Sequence, residues 1–143
     1  MLLGEFEHNI DEKGRITVPA KFRGRLASGL VVTKGIDPCL WLYPADVYAD
    51  LAQRVNTLSV TDPQARDLRR PVFGGAAGSV PDKQGRFILP PPVRKFGNIV
   101  KQAVIGGLYE NSEVWSPKSW QKRQEQSDSN PDDRARQFED LGI

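Results

Sequence analysis

The chain has 143 residues, with 20 Lys and Arg against 18 Asp and Glu, so its formal net charge is +2 and its length predicts one ordinary domain. Its single cysteine, Cys39, excludes an internal disulfide and a cysteine-rich zinc site, and it favours a reducing compartment. Because no apolar run approaches the roughly 18 residues of a membrane-spanning helix, and because the N-terminus lacks the basic flank of a secretory signal, we expect a soluble, cytoplasmic protein.

The first half of the chain alternates strand patterns with turn patterns. In chain order we expect a strand at 2–10, a turn at 11–14, a strand at 15–18, a short helix opened by Pro19, and strands at 30–34 and 39–44. The second half repeats this order, with Pro90, Pro91 and Pro92 before its short helix.

Helical patterns follow the strands in both halves. Apolar residues at helical spacing predict a helix over 45–58 after Pro44, and Asp62 with Pro63 predicts the N-cap and first position of a second linker helix. We further expect a hinge or tight connection at the glycine-rich 74–79, a C-terminal helix from Trp120, and a loose polar segment at 127–133.

The sequence repeats itself at an offset of 71 residues. DEKGRITVP at 11–19 matches DKQGRFILP at 82–90, so that Asp, Gly, Arg and Pro recur, and two later strands keep the offset within two residues. A duplication predicts two units of about 45 residues joined by residues 50–75. Units of that size rarely bury enough apolar area alone. The halves are therefore expected to interlock, or the chain to oligomerise, or both.

Charge is distributed unevenly along the chain. Residues 1–123 carry 18 basic and 12 acidic side chains, whereas residues 124–143 carry 2 and 6. Five of the basic side chains fall within 13–25, which contains no acid. A basic body suits a polyanion, and an acidic tail either keeps copies soluble or competes with that polyanion. A solvated surface of mixed charge is an equal interpretation of composition alone.

Few residues could support catalysis. His8 is the only histidine and has no repeat partner, so an ordinary strand residue is the simpler interpretation. Cys39 follows a proline in an apolar strand and is expected to be an inert packing residue. Asp11 and Asp82 each head a turn, which favours capping over acid–base work. With no metal-ligand or phosphate-loop motif, we expect a non-enzyme without metal or cofactor.

Two arginines follow the repeated turns. Arg15 and Arg86 begin strands whose apolar neighbours face inward, so alternation directs both arginines outward. An outward arginine can bind phosphate or the O6/N7 edge of guanine through two donors. Alternatively, each pairs with the aspartate four residues earlier and only holds the hairpin together. The two interpretations are compatible, because an aspartate can orient an arginine for DNA.

At DEKGRITVPAKFR and DKQGRFILPPPVR the sequence resembles the MraZ family of bacterial transcriptional regulators, whose hallmark is a repeated Asp-x-x-x-Arg, and the resemblance covers essentially the whole chain. It implies a mainly β fold with α elements (α+β). Two tandem swapped-hairpin units of the SpoVT-AbrB type would lie in a pseudo-two-fold arrangement, with linker and C-terminal helices. The implied boundaries are 5–47 for the first repeat, 48–75 for the helical linker, 76–119 for the second repeat, and 120–143 for the C-terminal helix and acidic tail.

The resemblance also implies a function. The protein would be a sequence-specific regulator that binds direct repeats in double-stranded promoter DNA as a ring, an octamer or a dodecamer. It would repress its own division and cell-wall gene cluster, in the cytoplasm and associated with the nucleoid, without a membrane or cofactor. The implied DNA-binding residues are Arg15, Arg86, Lys13 and Lys83. The implied structural turn residues are Asp11, Gly14, Asp82 and Gly85. An antitoxin-like or scaffold interaction protein with the same fold is the alternative, its acidic tail or hinge capturing a partner.

Overall fold

The computed structural model describes all 143 residues and contains eight strands and six α-helices. The strands are β1 (Glu5–Asn9), β2 (Arg15–Thr17), β3 (Leu30–Lys34), β4 (Leu40–Pro44), β5 (Ala77–Ser79), β6 (Arg86–Ile88), β7 (Gln102–Gly107) and β8 (Ser112–Trp115). The α-helices are α1 (Arg23–Leu26), α2 (Ala45–Asn56), α3 (Pro63–Arg69), α4 (Pro91–Gly97), α5 (Pro117–Asp128) and α6 (Pro131–Asp140).

Strands are exchanged between the two halves of the chain. Six strands form an antiparallel sheet in the order β1-β7-β8-β4-β3-β5, and β2 pairs with β6 in a separate two-stranded ribbon. Strand β1 of the first half pairs with β7 of the second, while β5 of the second half pairs with β3 of the first. Each half therefore completes the sheet of the other. The α+β fold and its swapped-hairpin units are confirmed, and the halves interlock.

The ribbon of β2 and β6 lies on the approximate two-fold axis that relates the halves. Its central pair is Ile16 opposite Phe87, two positions that are themselves 71 residues apart. Both side chains are buried. The Val18 amide donates to the Gly85 carbonyl at 2.8 Å, and the Leu89 amide donates to the Gly14 carbonyl at 2.9 Å. Each bond holds one turn against the end of the other strand, so the two turns lie at opposite ends of the antiparallel ribbon.

One hydrophobic core serves both halves. Its 17 buried residues come from both repeats and include Ile16, Leu40, Phe87 and Val114. Phe6 of β1 packs edge-on against Phe22, with ring centroids 5.3 Å apart. Because each half contributes to the same core, neither repeat buries its apolar face without the other.

The linker helices follow their sequence signals. Helix α2 covers most of the predicted 45–58 and ends two residues earlier, at Asn56. Asp62 caps α3, its Oδ1 accepting from the Gln64 amide at 2.9 Å, and Pro63 occupies the first position. A π turn at Arg70–Gly74 then leads to β5.

Two segments differ from their predicted structure. The stretch 74–79 is not only a connection, because Ala77–Ser79 pairs with β3 as the edge strand β5. The segment 127–133 is largely helical: α5 runs to Asp128, and α6 begins at Pro131. Asn130 caps α6, its Oδ1 accepting from the Asp132 amide at 3.0 Å. Polar composition thus concealed a strong helix start.

Two smaller elements are shorter than their patterns suggest. The strand at 2–10 narrows to Glu5–Asn9, because Gly4 takes a φ of +100° and interrupts it. Leu2 instead makes an isolated bridge with Tyr109. The short helix after Pro19 divides into a 3-10 turn at Ala20–Phe22 and the four-residue α1. None of the helices combines the length and apolarity needed to cross a bilayer.

Cys39 is expected to resist alkylation in the folded protein. Its side chain is fully buried, and its Sγ lies 3.5 Å from Oε2 of Glu113. Burial raises the pKa of the Cys39 thiol far above its ordinary value, and the Glu113 carboxylate raises it further. The reactive thiolate is therefore scarce at pH 8. Mass spectrometry after iodoacetamide treatment should find no adduct on the native chain and one adduct in concentrated guanidinium chloride. Rapid labelling of the native chain would contradict the burial.

Candidate nucleic-acid interface

The turn before β2 is organised by one carboxylate. Oδ1 of Asp11 accepts from the backbone amides of Lys13 and Arg15, both at 2.9 Å. Its Oδ2 accepts from Nε of Arg15 at 2.6 Å. The Gly14 amide donates to the Asp11 carbonyl at 3.0 Å, and Gly14 adopts a φ of +81° that suits glycine. The four residues therefore have separate roles in one compact turn.

The turn before β6 repeats this geometry. Oδ1 of Asp82 accepts from the amides of Gln84 and Arg86 at 2.9 Å, and Oδ2 accepts from Nε of Arg86 at 2.8 Å. Gly85 has a φ of +77°. Gln84 occupies the position of Lys13, so the lysine of the second turn, Lys83, is shifted by one residue. The duplication thus preserves the carboxylate and the arginine, and it moves the lysine.

Each turn arginine is held at one edge and open at the other. Only Nε of Arg15 and of Arg86 bonds to the aspartate, and neither guanidinium makes another hydrogen bond within the chain. Their side chains remain 31% and 32% exposed. The ion pair and the outward direction therefore coexist. A planar guanidinium that is held through Nε still has two terminal nitrogens that can donate to one partner.

A second pair of arginines also recurs in the two repeats, although it was not predicted as part of the site. Arg23 and Arg94 also lie 71 residues apart, shortly after the repeated Pro19 and Pro90. Each lies against the turn of the other repeat: a Cβ on Gly14 would lie 3.2 Å from Cζ of Arg94, and a Cβ on Gly85 would lie 2.8 Å from Nε of Arg23. The two strings that carry the family resemblance, at 11–23 and 82–94, both end on this pair, so the sequence does contain a signal for it. Its contact across the repeats carries no local signal.

The two lysines extend the positive charge of the turns. Lys13 and Lys83 are both exposed, and neither side chain makes an ion pair. Arg23, Asp82 and Lys83 also line a cavity of about 340 Å³ beside the second turn. The predicted site residues of each repeat therefore lie together at its turn, and the two turns lie at opposite ends of the β2–β6 ribbon.

Acid is expected to loosen both turns together. The backbone amide of Arg15 is the main reason that the pKa of Asp11 lies below the ordinary 3.8, and the Arg86 amide acts likewise on the pKa of Asp82. A lowered folded-state pKa means that the stabilisation is complete above pH 3.8 and disappears as the pH falls through the folded value. The difference in Tm between the wild type and Asp11→Asn with Asp82→Asn should therefore shrink between pH 5 and pH 2.

Asp50 supplies the control for that titration. It lies exposed on α2, and its carboxylate makes no ion pair or side-chain hydrogen bond. Asp50→Asn should leave the pH dependence of the Tm unchanged. A Tm difference for the double variant that stays constant down to pH 2 would contradict the role of the ionised turn carboxylates.

The titratable groups outside the turns include the only histidine, His8. His8 is partly buried in β1, and burial, followed by the charge of Arg23, lowers its pKa. No cluster of three His, Cys, Asp or Glu side chains has the placement to hold a metal ion. The chemistry concentrated on this surface is that of guanidinium and ammonium donors.

Comparison of the sequence with known proteins assigns the chain to a family. The family described as "MraZ protein, putative antitoxin-like" matches twice, at residues 1–71 and 72–141. A Transcriptional regulator MraZ of Herpetosiphon aurantiacus is 52% identical over 121 residues, which is 85% of each chain. That of Roseiflexus castenholzii is 44% identical over 91% of each chain, and that of Finegoldia magna is 38% identical over the full length of both. The chain therefore belongs to the MraZ family, and the three relatives above are all named transcriptional regulators.

Proposed function

We propose that this protein is a transcriptional regulator that binds double-stranded DNA in a sequence-specific manner through the two Asp-x-x-x-Arg turns. The observation that carries the proposal is the pair of open guanidinium edges, Arg15 and Arg86, each fixed through Nε by an aspartate. Fixing the guanidinium beforehand reduces the entropy lost when it binds a base edge. The ends of such a guanidinium match O6 and N7 of guanine.

The small number of base contacts that one chain can make argues that several chains bind DNA together. One good bidentate contact discriminates by only about 1–3 kcal/mol, and each chain presents two such arginines. A ring of subunits would repeat the contact along direct repeats in the promoter, and linked sites multiply affinity without new contacts. We propose that the ring, an octamer or dodecamer, represses the division and cell-wall gene cluster containing its own gene. It would act in the cytoplasm, on the nucleoid.

The distribution of charge along the chain also supports DNA as the partner. The first 123 residues carry six more basic than acidic side chains, whereas the last 20 carry four more acidic than basic. Lys13 and Lys83 belong to the same turns as the arginines and would contact phosphate. Phosphate contacts would fix the register of the protein on the duplex and make binding depend on salt.

A scaffold or antitoxin-like function rests on helix α6. This helix is exposed along its whole length, and the apolar side chains of Phe138 on the helix and Leu141 just after it are 52% and 76% exposed. A partner captured by α6 would leave the turns free. Deleting residues 130–143 should then abolish capture of that partner, whereas under the DNA proposal the deletion leaves the arginine contacts in place.

A mobility-shift assay with the DNA upstream of the protein's own gene tests the proposal. The expected result is a shift at protein concentrations that leave a scrambled duplex of equal length unbound. Light scattering on the same sample should report the mass of eight or twelve chains. Affinity should fall steeply between 50 mM and 200 mM salt. Equal binding to both duplexes would overturn sequence recognition, and a flat salt response would overturn the phosphate contacts.

A further inference from the structure

A basic cleft, which we call the lysine cleft, opens at the start of α5. It is a cavity of about 650 Å³ formed where the loop after α4 meets the first turn of α5. Every charged side chain that lines it is a lysine: Lys101, Lys118 and Lys122. None of the three makes an ion pair or a side-chain hydrogen bond. The cleft therefore concentrates positive charge with no acid to neutralise it.

The cleft continues to the first arginine turn. A neighbouring cavity of about 750 Å³ is lined by Asp11, Glu12 and Arg94, and it shares the lining residues 100–102 with the lysine cleft. The backbone joins the two directly, since the Ile10 amide donates to the Lys101 carbonyl at 2.8 Å. Arg94 and Lys101 thus lie between the turn and the start of α5 and extend the basic groups toward the turn. Two acids, Asp11 and Glu12, line the same cavity, and Asp11 is already paired with Arg15.

The duplication shows that the fold itself does not require these lysines. Aligning Pro44 with Pro117 places Ala45 opposite Lys118 and Ala49 opposite Lys122. In the first half the same helix start carries Asp46, which bonds to Arg25 at 2.9 Å. One repeat therefore builds this strand–helix junction with alanine and a neutralised aspartate. The other builds it with unpaired lysines.

We infer that the lysine cleft binds backbone phosphates in the stretch of DNA next to the bases that the two turns contact. This inference rests on the proposed function. Lys118 and Lys122 are one turn apart on α5, with Cβ atoms about 5–6 Å apart, a spacing that suits successive phosphates of one strand. The N-terminal end of the 12-residue α5 adds its partial positive charge. Because the cleft exists in only one half, it gives each subunit a direction along the duplex.

The test compares two duplexes and two triple variants. One duplex ends at the edges of the promoter repeat, and the other extends it by one helical turn, roughly 10 base pairs, on each side. Lys101→Gln, Lys118→Gln and Lys122→Gln are combined in one chain. Arg54→Gln, Arg66→Gln and Arg70→Gln remove the same charge from α2, α3 and the π turn that follows α3, as a control. Circular dichroism and light scattering establish that fold and assembly are unchanged.

The cleft variant should bind the short duplex like the wild type and lose affinity for the long one. On the long duplex its slope of log K against log salt should be shallower by about 0.9 for each lysine that holds a phosphate. The control variant should keep the wild-type slope.

Three outcomes would overturn the inference. They are an unchanged slope in the cleft variant, an equal loss in the control, and saturable binding of free pyrophosphate to the cleft with flanking DNA making no difference. A wild type that binds repeat and scrambled duplexes alike would instead refute the proposed function, so the two failures are distinguishable.

Discussion

A chain carrying Arg15→Ala and Arg86→Ala should fold and assemble like the wild type yet lose sequence-specific binding to its promoter DNA. Two bidentate contacts contribute about 2–6 kcal/mol of discrimination per chain, or roughly 30-fold to more than 10,000-fold in affinity. The cost to folding is small, because the two aspartate–arginine pairs are part-exposed and such pairs contribute about 0–1 kcal/mol. Mobility shifts with repeat and scrambled duplexes measure the loss, and circular dichroism checks the fold.

Lysine at the same positions separates charge from geometry. Arg15→Lys with Arg86→Lys keeps both positive charges but removes the planar pair of donors. This variant should retain salt-dependent, non-specific binding while losing its preference for the repeat. Lys95→Ala, an exposed change on α4, is the control and should bind like the wild type. If the double alanine variant still prefers the repeat, the arginines do not read the sequence.

The turns could be predicted from sequence because their chemistry is local. An aspartate that caps two amides, a glycine with positive φ and an arginine four residues after the aspartate all act within one short segment. The same holds for Asp62 and Pro63 at the start of α3. Such signals need no knowledge of the rest of the chain.

The exchange of strands could not be predicted in this way. The three residues of β5, Ala77–Ser79, show no apolar alternation, and their partner β3 lies more than 40 residues earlier in the chain. The position of Arg94 against the Gly14 turn is likewise a product of that exchange, since the two belong to different repeats. The lysine cleft could not be predicted either, because it forms between the loop after α4 and the start of α5, which are separate in the sequence.

The largest effect on stability is expected from Phe87→Ala. Phe87 is buried at the centre of the ribbon, opposite Ile16, and belongs to the core that both halves share. Removing a buried phenylalanine typically costs about 3–5 kcal/mol, a large part of the 5–15 kcal/mol that usually stabilises a domain. Urea unfolding should show a much lower midpoint. Phe138→Ala removes the same side chain from the exposed face of α6 and should leave the midpoint almost unchanged.

Phe87→Leu distinguishes loss of packing from loss of the contact surface. Leucine restores most of the buried volume, so this variant should lose far less stability than Phe87→Ala. Because Phe87 itself is buried and cannot touch DNA, promoter binding by both variants should follow the fraction of folded protein. A well-folded Phe87→Leu chain that fails to bind would show that the ribbon's packing also sets the angle between the two arginine turns. A Phe87→Ala chain with the wild-type midpoint would show that the halves are held together by the six-stranded sheet alone.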